Sequence, residues 1–302
     1  MLSILIPTYN YDIRSLVHEV HRQATNTGID FEIIALDDKS SSNIISSNSS
    51  INNLNFTNYE LSKKNNGIAI ARQLLVNKAK YNWVLLIDAD MKLKDNFYIS
   101  KYISAIKQNN DVVFGGIIYE NKPPNSNSIL RWKYGITYES ICAKQRNKTP
   151  YKITSAANML IKKAVYTNFN LDSIGNSYGM DIYFGPQLKL NKTSVLHIDN
   201  QVYHLGLESS KTYLKKTRLA VETLLKLKYQ NKIKLHENDL LKTFILSKKM
   251  KFNYVLSSFF KVVENIITKK LLGKNPPIKL LQFYKISYMC YFDLEKKFNQ
   301  TD

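Results

Sequence analysis

The chain has 302 residues, of which 44% are hydrophobic and 22% charged, and this composition excludes an intrinsically disordered protein. Lysine and arginine total 43 against 24 aspartate and glutamate, which gives a formal net charge of +19. The excess is concentrated at the carboxyl end, since residues 211–302 hold 20 basic and 7 acidic side chains. We therefore expect that region to meet an anionic partner.

The two cysteines, Cys142 and Cys290, are far apart and in no CxxC pattern. This spacing excludes a disulfide-rich scaffold or a zinc ribbon and favours a reducing compartment. No signal peptide is visible, and no apolar run approaches the roughly 18 residues of a membrane span. We expect a cytoplasmic protein, attached at most peripherally to the inner face of the cell membrane.

Strand and helix signals alternate along the first half of the chain. Apolar runs predict strands at residues 3–6, 31–36, 83–87, 111–119, 154–161 and 194–202. Helices are predicted over residues 13–23, with Asp12 as N-cap, over 67–80 and over 182–190. Strands separated by helices predict an α/β fold, a mostly parallel sheet with helices on both faces. Ligands of such sheets bind beyond the carboxyl ends of the strands.

From residue 211 onward the pattern changes to long amphipathic helices. Apolar residues recur at three- and four-residue spacing over residues 252–267 and 278–298, with lysines between them. The chain therefore divides into a first domain, residues 1–210, and a basic helical region, residues 211–302. These helices pack on the first domain with a solvated outer face, lie on an anionic membrane surface, or do both. Their apolar stripe could equally serve a dimer, and the sequence leaves these alternatives open.

Carboxylate pairs follow two of the predicted strands. Asp88 and Asp90 flank one small residue directly after residues 83–87, and hard oxygen ligands of this kind suit Mg²⁺ or Mn²⁺ that carries phosphates. Asp37 and Asp38 close the strand at residues 31–36. A carboxylate there could accept a hydrogen bond from a nucleobase. Both pairs could instead cap the elements that follow them.

Three further positions combine a reactive side chain with a nearby glycine. Arg72 lies in the helix that Gly67 opens, and its planar fork suits phosphate or a base, although a surface arginine would look the same. Asp181 begins a predicted helix and is either its cap or a general base. His204 follows a predicted strand and is either a metal ligand or a structural imidazole.

Seven motifs in this order resemble family 2 glycosyltransferases of the GT-A fold. They are IPTYN (6–10), ALDDKS (35–40), NNGIAIAR (65–72), LLIDADMKL (85–93), TSAANMLIKKAVY (154–166), YGMDIYFGPQLKL (178–190) and VYHLG (202–206). The resemblance implies that residues 1–210 form a GT-A nucleotide-sugar-binding catalytic domain. It also implies a bacterial sugar transferase of the surface-polysaccharide or lipopolysaccharide type.

The resemblance implies a role for each matching position. Asp90 and His204 would bind a divalent metal with Asp88 beside it, and Asp181 would be the catalytic base. The positions implied to bind the nucleotide sugar are Pro7, Tyr9, Asp37, Asp38, Gly67, Arg72, Asp88, Ala157 and Asn158. Candidates for the acceptor pocket are Trp132, Tyr134 and Met180, the last standing where the family usually has glutamate.

The implied reaction is an inverting transfer of a hexosyl or N-acetylhexosaminyl group. The donor would be a nucleotide diphosphate sugar, a UDP-sugar in preference, and the acceptor a hydroxyl of a glycan or lipid-linked glycan. The implied cofactor is Mn²⁺ or Mg²⁺, which would neutralise the leaving diphosphate. The alternatives are a catalytically silent sugar-nucleotide-binding relative and a basic nucleic-acid-binding protein. No zinc spacing or helix-turn-helix signature supports the latter, so no nucleic acid is expected.

Overall fold

A computed structural model of the chain describes residues 1–169, 179 and 181–296. The chain forms two compact units. The first comprises Met1–Tyr119, Ser140–Asn176 and Asn191–Gly206, and the second Glu120–Glu139, Ser177–Leu190 and Leu207–Asp302. Every described strand belongs to the first unit. A catalytic domain that ends at residue 210 stays a prediction.

The first unit is built on a mixed sheet. The strands are β1 (Leu2–Thr8), β2 (Phe31–Asp37), β3 (Thr57–Leu61), β4 (Trp83–Ile87), β5 (Met91–Leu93), β6 (Val112–Phe114), β7 (Ile117–Ile118), β8 (Asn158–Lys162), β9 (Val195–His197) and β10 (Val202–His204). Seven of them pair in the order β3-β2-β1-β4-β8-β6-β9. Only β8 runs antiparallel to its neighbours, so the mostly parallel sheet is confirmed. A second sheet has the order β5-β10-β7.

Helices cover the seven-stranded sheet and make up the second unit. They are α1 (Arg14–Asn26), α2 (Ser42–Asn48), α3 (Ile68–Lys78), α4 (Tyr98–Ile106), α5 (Ile129–Tyr138), α6 (Ala143–Arg146), α7 (Lys163–Thr167), α8 (Asp181–Leu190), α9 (Ser210–Tyr229), α10 (Asp239–Lys249), α11 (Asn253–Leu271) and α12 (Ile278–Lys296). Short 3₁₀ turns cover Ser49–Asn53 and Ser126–Ser128. In the first unit α1 packs with α4, and α3 with α7.

The main core lies between the sheet and α1 and α4. Alternate residues of β1, among them Ile4 and Ile6, meet Val17 and Val20 of α1 and Ile99 of α4 there. All five side chains are inaccessible to solvent. Because successive residues of a strand face opposite sides, the other residues of β1 face α3. Both faces of the sheet are therefore covered.

The strand order brings three carboxyl ends together. β1 lies between β2 and β4 and is parallel to both. Tyr9, Asp38 and Asp88 each follow directly after one of these strands. They therefore lie at the same edge of the sheet, where ligands of parallel sheets bind.

The second unit is a helical bundle with an aromatic core. α11 packs along α12, which also contacts α9 and α10. The buried ring of Phe260 meets the rings of Tyr284 and Tyr288 with centroids 5.4 and 5.5 Å apart, a normal separation for packed aromatic pairs. Across the described residues, no helix is both long and apolar enough to cross a membrane.

Candidate active site

Asp37 and Asp38 both accept hydrogen bonds from the protein itself. Asp37 is fully buried and accepts from the Tyr59 hydroxyl and the Ser40 backbone N–H, each at 2.6 Å. Burial, and next the bond to Asp37, raise the pKa of Tyr59 well above its usual value, so this hydroxyl stays a donor. Asp38 is 4% exposed and accepts the backbone N–H groups of Asn66 at 2.9 Å and Gly67 at 2.7 Å. It thereby anchors the start of α3 to the end of β2.

Asp88 is held by a buried arginine of α3. Nη2 of Arg72 lies 2.8 and 2.9 Å from the two carboxylate oxygens of Asp88. The Arg72 side chain is 6% exposed and that of Asp88 22%. The ion pair fixes the Asp88 carboxylate at the carboxyl end of β4. The backbone N–H of Asp88 donates to the carbonyl of Ala157. The nucleotide-binding roles of Arg72, Asp88 and Ala157 stay predictions.

Asp90 and His204 face each other across the small sheet. Nε2 of His204 lies 3.0 Å from Oδ2 of Asp90, and its Nδ1 lies 3.3 Å from the Tyr119 hydroxyl. Leu205 donates its backbone N–H to the Asp90 carbonyl at 2.9 Å. A Cβ added at Gly206 would lie 2.2 Å from Oδ2 of Asp90. The sequence VYHLG therefore places both the imidazole and a side-chain-free residue against this carboxylate.

Asp90 and His204 fit a divalent cation with two protein ligands. Carboxylate oxygen and imidazole nitrogen suit Mn²⁺, and Mg²⁺ is commonly held by one or two carboxylates together with substrate phosphates. A ligating histidine is usually oriented by a hydrogen bond that its other ring N–H donates, and Nδ1 of His204 lies within reach of the Tyr119 hydroxyl oxygen for this. Within the described residues, no group of three His, Cys, Asp or Glu side chains is arranged to hold a metal. The remaining ligands would have to be phosphate and water.

Asn158 is a buried hub at the start of β8. Its Oδ1 accepts from the hydroxyls of Tyr98 at 2.8 Å and Tyr102 at 2.7 Å, and its Nδ2 donates to the carbonyls of Gly116 and Asn200 at 2.8 and 2.9 Å. The side chain is 1% exposed. Protein partners satisfy all the hydrogen-bonding groups of this side chain, so Asn158 has a structural role. Its contact with the donor sugar stays a prediction.

The predicted nucleobase contacts lie at the end of β1. Pro7 is a buried residue of β1 and pairs in register with Leu36. Tyr9 follows the strand, and 55% of its surface is exposed. A large exposed aromatic ring beside the edge of the sheet can stack on a base.

An open cavity of about 850 Å³ lies beside Asp90 in the first unit, between α1 and β5. Tyr11, Ala89, Met91 and Leu205 line the part nearest that carboxylate. Burial, and next the charge of Asp90, raise the pKa of Tyr11. The sequence interpretation missed Tyr11 and Tyr119. Tyr119 is the last residue of the strand predicted over residues 111–119, whereas Tyr11 lies five residues beyond the strand predicted at 3–6 and had no comparable signal.

Asp181 is the first residue of α8 in the second unit. Its side chain is exposed, and its role as catalytic base stays a prediction. Gly179 has φ +88°, and a Cβ there would lie 3.1 Å from the Cα of Ala220, so the turn before α8 requires glycine. Met180 lies outside the described residues.

Trp132 and Tyr134 lie on α5 and make different contacts. Trp132 donates its indole N–H to the carbonyl of Glu120 at 2.8 Å and lines a cavity of about 470 Å³ with Pro276 and Pro277. Tyr134 packs against Tyr213, with ring centroids 5.6 Å apart. These two acceptor candidates do not share that cavity.

The sequence also matches a known protein family. Residues 3–168 match the model of glycosyl transferase family 2. This chain belongs to glycosyl transferase family 2. The matched residues include the ends of β1, β2 and β4 and every nucleotide-binding candidate named above. No curated protein matches the sequence.

Solved structures share the fold of this family 2 glycosyltransferase. TarS residues 1-349 of S. aureus, in complex with UDP-GlcNAc, is 15% identical with a TM-score of 0.51, over 98% of this chain and 92% of that one. The mannosyltransferase PcManGT of Pyrobaculum calidifontis, with GDP-Man and Mn²⁺, is 11% identical with a TM-score of 0.56, over 99% and 88%. GalNAc-T7, with UDP, GalNAc and Mn²⁺, is 12% identical with a TM-score of 0.52, over 74% and 47%. The fold is thus GT-A.

Proposed function

We propose that this chain is an inverting, metal-dependent glycosyltransferase that uses a UDP-sugar. The observation that carries the proposal is the pair formed by Asp90 and His204, 3.0 Å apart, next to the carboxylate of Asp88 that Arg72 fixes. Carboxylates gathered at the ends of parallel strands are suited to a metal that carries phosphates. The family match supports sugar transfer as the reaction.

In this proposal Asp90 and His204 would hold Mn²⁺ or Mg²⁺, with Asp88 beside them. The cation would neutralise the charge that develops on the leaving diphosphate. Tyr119 holds the imidazole in place through its hydroxyl. Two of the similar structures, PcManGT and GalNAc-T7, were solved with Mn²⁺, which supports a divalent cation.

The donor would lie across the ends of β1, β2 and β4. Tyr9 would stack on the base, and Asp38 would hydrogen-bond to the edge of the base. Pro7 and Asp37 would lie behind Asp38. Gly67 and Arg72 would lie beside the diphosphate, and Ala157 and Asn158 beside the sugar. Uracil is favoured because TarS and GalNAc-T7 were solved with uridine nucleotides, and the GDP-Man in PcManGT makes guanine the alternative.

Asp181 would act as the general base. It would take the proton of an acceptor hydroxyl while that oxygen attacks the anomeric carbon and the bond from this carbon to the diphosphate oxygen breaks. A single displacement of this kind inverts the anomeric configuration. The transferred group would be a hexose or N-acetylhexosamine, and the acceptor a glycan or lipid-linked glycan of a bacterial surface polysaccharide. Trp132, Tyr134 and Met180 are the acceptor contacts we propose.

Thermal unfolding with a donor panel tests the metal and the base together. UDP-, GDP-, CMP- and dTDP-sugars are compared with and without Mn²⁺. At about 100 times its Kd, a ligand stabilises the folded state by about 2.7 kcal/mol, which for a chain of this length raises the melting temperature by about 4 °C. We expect this shift with a UDP-sugar and Mn²⁺, and not with the metal omitted.

Two variants locate the binding site. Asp90→Ala should lose the donor-dependent shift. Asp30→Ala should keep it, because Asp30 is exposed and precedes β2, at the opposite end of the sheet from the proposed site. A shift that survives in Asp90→Ala, or that appears without metal, contradicts the proposed metal site. Donor binding without transfer to any acceptor would indicate a catalytically silent relative.

A further inference from the structure

The outward side of α11 carries a continuous apolar stripe. Phe252, Val255, Phe259, Val262 and Ile266 follow one another at intervals of three, four, three and four residues, which places them on one face of a helix. Their exposed fractions are 50, 57, 49, 78 and 57%. At 1.5 Å per residue the stripe is about 21 Å long. We call these five residues the outer face of α11.

The outer face of α11 is additional to the side that stabilises the bundle. The buried side of α11 lies about 100° further round the helix and includes Leu256, Phe260 and Ile267. Within the stripe, Phe259 packs edge-on against Phe283 of α12 with ring centroids 5.7 Å apart, whereas Val262 and Ile266 are more than half exposed. A contiguous exposed apolar surface of this length marks an interaction site.

Lysines border the stripe. Lys251, Lys269 and Lys270 are exposed and lie on its side of the helix. Lys261 lies on another side, where it forms an ion pair with the exposed Glu295 of α12 at 2.7 Å. Glu264 is half-buried and forms an ion pair with Arg218 of α9. Apolar side chains bordered by lysines complement a surface that is apolar inside and anionic at its rim.

We propose that the outer face of α11 binds an anionic phospholipid bilayer in its interfacial region. The apolar side chains would enter the boundary between headgroups and acyl chains, and the lysines would meet the phosphates. A helix with an exposed apolar side and a basic border has the composition of known interfacial helices. The proposal stands on the second unit alone and does not depend on the donor or the metal.

A second copy of the chain fits this surface less well. A two-fold contact places the same patch on both partners, so that lysines would face lysines. Lysine is also depleted in the centre of protein interfaces. A dimer seam would need carboxylates beside the stripe to pair with these lysines. The exposed positions within residues 250–270 provide none, and Glu295 of α12 is already paired with Lys261.

Vesicle co-sedimentation of the full chain tests the proposal. The vesicles are phosphatidylcholine alone or phosphatidylcholine with about one third phosphatidylglycerol, the anionic fraction that electrostatic attraction requires. The double variant Val262→Glu/Ile266→Glu is expected to lower the partition coefficient onto anionic vesicles at least tenfold. The control Phe97→Glu changes a 64% exposed apolar residue of the first unit and should bind like the wild type.

A second pair of variants tests the charges. Lys269→Gln/Lys270→Gln should lower partition about fivefold for each lysine neutralised. Lys107→Gln/Lys144→Gln removes two exposed lysines of the first unit and should leave partition unchanged. Binding of the wild type should also weaken at high salt.

Three outcomes would overturn the proposal. The wild type does not bind anionic vesicles, or the outer-face variant binds as the wild type does, or sedimentation velocity shows a dimer that Val262→Glu/Ile266→Glu dissociates. Asp90→Ala separates this proposal from the enzymatic one, because it should bind vesicles normally. Loss of donor binding with normal vesicle binding, or the reverse, therefore identifies which proposal fails.

Discussion

Replacing Gly206 by alanine is expected to lower the rate of sugar transfer by about 100-fold in a chain that still folds. The added Cβ would lie 2.2 Å from Oδ2, 2.6 Å from Cβ and 2.8 Å from Cγ of Asp90, whereas ordinary contacts begin at 3.4 Å. The Asp90 side chain must therefore move by about 1 Å or more. Such a movement breaks its contact with Nε2 of His204, which is 3.0 Å long.

The size of the effect follows from that displacement. Misplacing a catalytic group by 1 Å costs about 100-fold in rate, so kcat/KM of Gly206→Ala should fall by about 100-fold, or about 2.7 kcal/mol. Gly206 does not occupy the left-handed region of backbone space, so alanine adds no backbone strain there. The contact with Cβ of Asp90, an atom that the backbone fixes, should lower the free energy of unfolding by about 1 to 3 kcal/mol.

Steady-state kinetics and urea unfolding of the same preparations separate activity from stability. Gly273→Ala is the matched control, because its added Cβ would meet only backbone carbonyls at 3.3 and 3.7 Å. This control should keep both activity and stability. Wild-type kcat/KM in Gly206→Ala would refute the assignment of Asp90 to the reacting centre.

Other predictions concern buried polar groups of the first unit, measured by urea unfolding. Burial lowers the pKa of His197 to about 4, and its Nδ1 accepts from Nη1 of Arg146 at 2.8 Å. The unfolded chain binds this proton first, at its ordinary pKa of about 6.5, so stability falls by about 3 kcal/mol from pH 7 to pH 4; His197→Gln should remove that part of the slope. Asn158→Leu deprives two buried tyrosine hydroxyls of their acceptor and should cost about 3 kcal/mol. Arg72→Met leaves the Asp88 carboxylate without its buried partner and should cost about 3 kcal/mol.

A specific result would contradict each of these stability predictions. Equal pH dependence in the wild type and His197→Gln would mean that the imidazole is not kept neutral by burial. An Asn158→Leu protein as stable as the wild type would mean that the tyrosine hydroxyls do not depend on this acceptor. Unchanged stability of Arg72→Met would mean that solvent compensates the Asp88 charge.

The strands that hold the site could be predicted because they are buried on both faces. β1, β2 and β4 are nearly continuous apolar runs, and the sequence shows them directly. β3 was missed because Thr57–Leu61 is a mostly polar edge strand. Edge strands carry little of the apolar signal on which such predictions depend.

Two boundaries were set by contacts that local sequence does not contain. The strand predicted over residues 111–119 is divided into β6 and β7, because Gly116 between them takes φ +90°, which lies outside the extended region. The prediction of Asp12 as N-cap of α1 was wrong. Ile13 takes that position, and Asp12 instead accepts from the backbone N–H and guanidinium of Arg14.

The candidate site was predictable in its residue types and less so in its contacts. The spacing of Asp88 and Asp90 after a strand indicated a cation site, and the motif order indicated His204. That Arg72 pairs with Asp88, and that Asp38 holds the start of α3, depends on how α3 returns to the sheet. The local sequence pattern does not specify how a helix packs back against the sheet.

The antiparallel insertion of β8 has a consequence for how the chain is made. β4 pairs with β1 on one side. Its other edge stays unpaired until β8 is synthesised, and the last residue of β8 comes roughly 75 positions after the last residue of β4. At a synthesis rate of about 5 to 20 residues per second, that interval is about 4 to 15 s. During it the growing chain presents the unpaired edge of an apolar strand, the kind that joins to other chains. The nascent protein is therefore most prone to aggregate on the ribosome between the emergence of β4 and that of β8, and holdase chaperones should act there.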